Sequence, residues 1–313
     1  MQALCSILVI SYNTKEMTIS CLESIDKQAL VSDYEIIVVD NNSSDGSAQA
    51  ISDKFPNVRL FALNENLGFA KANNYAAQFS KADFLLLLNP DTIVLNSAID
   101  KLREFSKNYD NAGIWGGRTL FGDGRLNPTS CWKKMTVWGL LCNALGVTKV
   151  FPNSILFNPE AYGGWKRDCI KSVDIVTGCF LLIKRNLWNE LNGFDERFFM
   201  YGEEADLCLR ARNLGCSPII TPEAEIIHFG GASEKVRSDK LIKLLKAKVQ
   251  LIKNHWNPLI QSLGIVLIAL WPLGRYFAFW FLSTFFKSPS FSEKFNVWKH
   301  VWASRTVWMR GYS

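Results

Sequence analysis

Over the first two thirds of the chain, apolar and polar positions follow two alternating rhythms. Ser6-Ile7-Leu8-Val9-Ile10 is an unbroken apolar run, the pattern of a parallel strand buried on both faces. A helical pattern follows from Lys15 to Lys27. Tyr34 to Val39 is a second strand, ending at Asp40, and Ser47 to Lys54 is again helical. Val58 to Leu63 predicts a third strand and Ala70 to Phe79 a third helix. Phe84 to Leu88 predicts a fourth strand, closed by Asn89-Pro90-Asp91. Strand and helix in strict alternation specify an α/β fold, a mostly parallel central sheet with helices on both faces. Ligands of such sheets sit beyond the C-terminal strand ends. Tyr12 and Asn13, Asp40 to Asp45, and Asn89 to Asp91 all fall there.

Between Gly113 and Gly164 the rhythm dissolves into Gly-, Pro- and aromatic-rich sequence, as in ordered loops over a site. Val173 to Ile183 predicts one strand around Thr177-Gly178-Cys179, Glu203 to Leu214 a helix, and Glu225 to Phe229 a short last strand. Beyond Ser233 the pattern changes again. Residues 234–255 form a basic amphipathic helix, with Leu241, Leu244, Leu245 and Ile252 on one face among seven Lys and Arg. Leu259 to Phe286 is almost wholly apolar, and Pro272, Gly274 and Arg275 divide it into two pieces. Trp256, Trp271, Trp280, Trp298, Trp302 and Trp308 lie in this last part, as Trp does at a membrane–water interface. The domain expectation is therefore a catalytic body over 1–233, with a donor half to about residue 112 and an acceptor half after it. Residues 234–313 form a basic, Trp-rich, membrane-associating region.

Composition narrows this picture. Lys+Arg 35 against Asp+Glu 29 is mildly basic, so nucleic acid is not required as a partner. Eight cysteines show neither C-x-x-C nor zinc spacing and read as buried thiols of a reducing compartment. Met1 to Ile10 lacks a basic n-region, so the expected location is the cytosolic face of the membrane, peripheral or monotopic.

Acidic residues carry the chemistry. Asp40 is placed to accept a hydrogen bond from a pyrimidine imide N–H; its bland reading, like that of Asp45, is a turn or cap. Asn66-Leu67-Gly68 opens a helix whose N-terminus suits a diphosphate. Gly202-Glu203-Glu204-Ala205-Asp206 gathers three carboxylates at a helix start. Asp206 and Arg210 can simply pair, but adjacent Glu203 and Glu204 repel, and like charge raises a carboxyl pKa toward that of a general base. His228, at the end of an apolar strand, is a structural histidine or a metal ligand beside Asp91. No P-loop and no G-x-G-x-x-G is present.

The order of Ser11-Tyr12-Asn13, Val39 to Gly46, Asn66-Leu67-Gly68-Phe69, Asn89-Pro90-Asp91, Thr177-Gly178, Gly193-Phe194-Asp195-Glu196, Glu203 to Asp206 and His228 resembles family 2 inverting glycosyltransferases of the GT-A fold. The branch it is most similar to comprises rhamnosyltransferases that build polyprenyl-linked polysaccharide, and the resemblance covers roughly residues 4–235. It implies donor binding by Ser11, Tyr12, Asn13, Asp40, Asn42, Asn66, Gly68, Asn74, Asn89 and Asp91. It implies Mg²⁺ or Mn²⁺ at Asp91 and His228, Glu204 as base with Glu203 and Asp206 beside it, and an acceptor side shaped by Gly178, Phe194 and Asp195. The implied partners are a dTDP- or UDP-sugar, with dTDP-L-rhamnose first, and a polyprenyl-diphosphate-linked glycan at an anionic membrane surface. Only the final acid of the family's D-x-D motif remains, and Glu204 stands where an Asp is usual. The rival readings are a nucleotidyltransferase, which lacks a Gly-rich basic loop here, and a non-catalytic membrane-surface adaptor.

Overall fold

The computed structural model describes residues 5–28, 34–230 and 236–312. Two compact units emerge, one of residues 1–133, 166–199 and 203–233, the other of 134–165, 200–202 and 234–313. The strands are β1 (Cys5–Ser11), β2 (Tyr34–Asp40), β3 (Arg59–Ala62), β4 (Phe84–Leu88), β5 (Thr92–Val94), β6 (Ile114–Leu120), β7 (Leu126–Asn127), β8 (Cys131–Trp132), β9 (Lys171–Ser172), β10 (Ile175–Val176), β11 (Phe180–Lys184) and β12 (Ile219–His228). The helices are α1 (Lys15–Gln28), α2 (Ser47–Lys54), α3 (Gly68–Gln78), α4 (Ala98–Asn108), α5 (Val137–Leu145), α6 (Val147–Val150), α7 (Arg185–Glu190), α8 (Glu203–Asn213), α9 (Arg237–His255), α10 (Pro258–Phe286), α11 (Pro289–Ala303) and α12 (Arg305–Trp308).

In the first unit the main sheet runs β3-β2-β1-β4-β11-β6-β12-β5. β1, β2, β3 and β4 are mutually parallel, and β1, an apolar run, is buried along its whole length. β11 enters antiparallel between β4 and β6, and β12 lies parallel to β6. The C-terminal ends of β1, β2, β4 and β12 therefore share one edge with the start of β11. His228 pairs with Thr92 in the register of β12 and β5, so His228 meets the residues just after β4. The core of Ile7, Val9, Leu22, Val38, Leu86, Leu102, Trp115 and Phe180 makes this sheet a rigid platform.

Three expectations change. Val173 to Ile183 is not one strand: Thr177 and Gly178 separate β10, which pairs with β8, from β11 in the main sheet. The final strand is longer than its apolar stretch, because Thr221, Pro222 and Glu223 lie at a register shift between the two halves of β12. Residues 134–165 group with the second unit and not with the rest of the expected 113–233 segment.

In the second unit, α10 is one continuous helix of 29 residues with Pro272 inside it. The expected division at Pro272, Gly274 and Arg275 does not occur. Proline costs one backbone bond and a ring clash, which packing by neighbouring helices can absorb. Pro272 is buried, and α11 folds back along α10. Trp271 meets Trp298, Tyr276 meets Phe295, and Phe286 meets Phe291. Leu245, Val249, Ile252, Leu267, Trp298 and Trp308 form this unit's core.

Candidate active site

Strand ends position the first carboxylate. Asp40 closes β2, 3 % exposed, and its Oδ2 accepts from the Ser43 N–H at 3.0 Å. Its Oδ1 is buried with no protein donor. A buried acceptor left unpaired is costly, so this atom suits a ligand N–H. The neighbouring loops are tied together around it. Asn13 and Asn42 adopt left-handed backbone, φ 51° and 67°. Asn13 Oδ1 accepts from the Ser44 N–H, and Asp45 accepts from the N–H groups of Lys15 and Ser47. Burial opposes ionisation of Asp45, but these donors outweigh it and hold its carboxyl below the usual range. Asp45 thus joins the starts of α1 and α2, a structural task.

Asn41, given no role by sequence reasoning, is the latch of this edge. Its Nδ2 donates to Asn66 Oδ1 at 2.9 Å and to the Gly68 carbonyl at 3.2 Å, while its Oδ1 accepts from the Leu67 N–H. Asn66 therefore shapes the entry to α3. Gly68 has φ +77°, and a Cβ there would stand 2.4 Å from the Phe199 carbonyl, so glycine is required. That carbonyl accepts the Phe69 N–H.

Past β4, Asn89 Nδ2 lies 3.4 Å from His228 Nε2, and Asp91 Oδ1 is 3.4 Å from the same nitrogen. Burial disfavours the imidazolium, but Cys179 and Asp91 outweigh it and His228 is pushed up to about 10. Asn89 Oδ1 and His228 Nδ1 are buried without protein partners. A cavity of about 240 Å³ opens beside Asp91, lined by Glu16, Met17, Ser20, Thr92, Ile93 and Phe229. No motif pointed to Glu16 or Met17, because their side chains reach this cavity from α1 only in the fold. Among the described residues no three His, Cys, Asp or Glu side chains form a metal cage. Two adjacent ligands fit nonetheless: neighbouring positions on an octahedral Mg²⁺-sized ion lie about 3 Å apart.

The third group is the start of α8. Glu203 is buried, with Oε2 unpaired; burial first, then the neighbouring Glu204, push its carboxyl well above the usual range. Glu204 packs against Gly178: a Cβ on Gly178 would lie 3.6 Å from Glu204 Cβ and 3.6 Å from the Phe69 ring. The fold thus brings together Gly178, Glu204 and the start of α3.

Several expected site residues are engaged elsewhere. Asp206 is 1 % exposed and ion-paired with Arg210 at 2.6 Å, and Arg210 also holds the Leu191 and Gly193 carbonyls, an arrangement that anchors the start of α8. The Ser11 hydroxyl is buried against Thr18 at 3.0 Å. Asn74 bonds the Phe194 backbone through both ends of its amide and so holds the 193–196 loop. Phe194 is buried against Trp188, and Asp195 pairs with Arg197.

Residues 6–189, more than half of the chain, match the family model described as glycosyl transferase family 2. A curated relative is the N-acetylglucosaminyl-diphospho-decaprenol L-rhamnosyltransferase of Mycobacterium tuberculosis, 29 % identical over 211 residues, spanning 62 % of this chain and 66 % of that protein. The match thus covers just under two thirds of that relative's length. Among solved structures, the fold is similar to the Pyrobaculum calidifontis mannosyltransferase in complex with GDP-Man and Mn²⁺, with TM-score 0.58 and 15 % identity over 98 % of this chain and 88 % of that one. It is also similar to S. aureus TarS residues 1–349 in complex with UDP, with TM-score 0.52 and 17 % identity over 89 % and 72 % of the two chains. The fold is GT-A.

Proposed function

Because the chain belongs to glycosyl transferase family 2, we propose that it is an inverting glycosyltransferase of glycan biosynthesis, moving a sugar from a pyrimidine nucleoside diphosphate to a lipid-linked glycan. The observation that carries this reading is the convergence of Asp40, the Asp91–His228 pair and Glu204 on one edge of a rigid sheet. Asp40 Oδ1 accepts the imide N–H of the base. The α3 start, fixed by Asn41 and Gly68, faces the diphosphate. Asp91 and His228 would hold Mg²⁺ or Mn²⁺, whose charge offsets that of the departing diphosphate.

Glu204 takes the acceptor hydroxyl proton as that oxygen bonds to the anomeric carbon. The bond from that carbon to the diphosphate oxygen breaks on the opposite face, so one displacement inverts the centre. Burial, then the neighbouring Glu204, favours the neutral form of Glu203. The named rhamnosyltransferase relative supports L-rhamnose from dTDP-L-rhamnose as the transferred sugar and a polyprenyl diphosphate as the lipid carrier.

Nucleotide release from a panel of NDP-sugars, with and without a lipid-diphosphate-linked N-acetylglucosamine acceptor, tests this. Acceptor-stimulated release of dTDP or UDP is expected, with dTDP-L-rhamnose the best donor. Release of pyrophosphate from a nucleoside triphosphate and sugar phosphate would identify a nucleotidyltransferase instead.

A further inference from the structure

Residues 137–158, in the second unit, turn large apolar side chains to the outside. Leu145, Val150 and Ile155 are 70 %, 68 % and 69 % exposed, and Trp138, Phe151 and Leu156 are exposed beside them in sequence. Lys149 is the one charge from Val137 to Asn158, a stretch without an acid. The segment is firmly built all the same. The Trp138 indole N–H donates to the Leu156 carbonyl at 2.6 Å, and the Phe157 ring lies 5.2 Å from Phe151 and 6.4 Å from Trp138. Asn158 Nδ2 donates to the Pro152 carbonyl at 2.9 Å, and a Cβ on Gly163 would stand 2.5 Å from the Ser154 carbonyl. Apolar side chains held outward on an ordered frame mark an interaction surface.

The frame and its neighbours say what covers this surface. The N–H groups of Lys149, Phe151, Ser154, Phe157 and Asn158 are all taken by acceptors inside the segment. Backbone paired in this way enters a lipid interface without leaving donors stranded in hydrocarbon. The segment is also fixed to α10. Leu140 belongs to one core with Leu267 and Ile268, and Val137 and Leu141 pack on that core. Glu160 bonds both Asn143 and Lys248 of α9, at 3.4 and 3.2 Å. α10 is long and apolar enough for a bilayer, and only 17 % of its most apolar window is buried. A membrane that takes α10 therefore meets a unit of which residues 137–158 are a packed part. Trp138 suits headgroup depth, and Lys149 suits anionic headgroups.

We propose that residues 145–156 are a second membrane-inserting element, separate in sequence from the C-terminal helices, whose Leu145, Val150, Phe151, Ile155 and Leu156 side chains enter an anionic bilayer. The partner is the lipid surface itself. The inference stands independently of which sugar the enzyme transfers, and of whether it transfers one. A rigid apolar knob binds a bilayer in proportion to the apolar area it buries there, and it loses no conformational freedom by doing so.

The test uses the full chain with Cys169→Ser and Ile155→Cys, labelled at residue 155 with an environment-sensitive fluorophore. The protein is added from a non-ionic detergent to vesicles of phosphatidylcholine and phosphatidylglycerol. On vesicle binding the probe should shift to the blue, lose its quenching by aqueous iodide and become quenched by lipids brominated on the acyl chain. Protection from iodide without quenching by brominated lipid would mean that protein covers the knob, a second copy if protection grows with protein concentration; either result overturns the proposal. A probe that stays open to iodide on vesicle-bound protein overturns it as well. The second measurement is vesicle sedimentation of Val150→Asp with Ile155→Asp. Both side chains are exposed, so the pair should melt with the parent in detergent, while vesicle affinity falls by about tenfold or more. Nucleotide affinity in the same samples should not move. Vesicle affinity equal to the parent's would leave the C-terminal helices as the whole membrane contact and overturn the proposal.

Discussion

Glu203 and Glu204 are adjacent in sequence but differ in surroundings. Glu203 is sealed at the start of α8, where burial and its neighbour favour the neutral acid, whereas Glu204 lies against Gly178. The linkage has a definite sign. A carboxyl whose folded pKa is raised gives stability that is complete below its unfolded pKa and lost as pH climbs through the folded value. Glu203→Gln, permanently neutral, is therefore expected to melt at a higher temperature than the parent at alkaline pH, with the difference closing near pH 4. Thermal melts from pH 4 to 9 measure this; parallel curves at all pH values would show that Glu203 is ionised in the fold. Placement at the sheet edge was legible where a side chain ends a strand, as Asp40 and His228 do, or lies between two, as Asp91 does. It was illegible where partners lie far along the chain. Nothing near Asn74 announces its bonds to Phe194, 120 residues away, and nothing near Asn41 announces that it fixes Leu67.

At the scale of elements, β1, β2 and β4 were readable because strands buried on both faces need unbroken apolar runs. The antiparallel entry of β11 was not, because direction is set by pairing, to which periodicity is blind. The continuity of α10 was hidden for a related reason, since Pro272 is accommodated by packing that only the fold supplies. At 29 residues α10 is about 43 Å long, enough to cross a bilayer core of about 30 Å, and only 17 % of its most apolar window is buried. Yet α11 runs back along its second half and carries Glu293, Lys294, Lys299 and His300. A spanning α10 would draw these into hydrocarbon, at roughly 2.5–3.5 kcal/mol for each charge near the centre. The hairpin is therefore expected to lie in the cytosolic leaflet without crossing. With exposed Cys169 replaced by Ser, Ser288→Cys at the hairpin turn should resist an impermeant thiol reagent in intact cells and react after lysis. Labelling in intact cells would mean that α10 spans.

For the molecule as a whole, the sequence led to the α/β class, a long apolar C-terminal helix and the acids at the sheet edge. Residues 134–165, whose Gly- and aromatic-rich pattern reads as loops, contain α5 and α6 and group with the helices of the second unit. The account's central claim is that the first unit performs base-assisted inverting transfer with Glu204 as the base. The most direct measurement is sugar transfer by Glu204→Gln alongside donor binding by the same protein. Transfer should fall by roughly 10²–10⁴-fold while NDP-sugar affinity stays within a few-fold of the parent. Near-full turnover by Glu204→Gln, with transfer lost instead in Glu203→Gln, would contradict it.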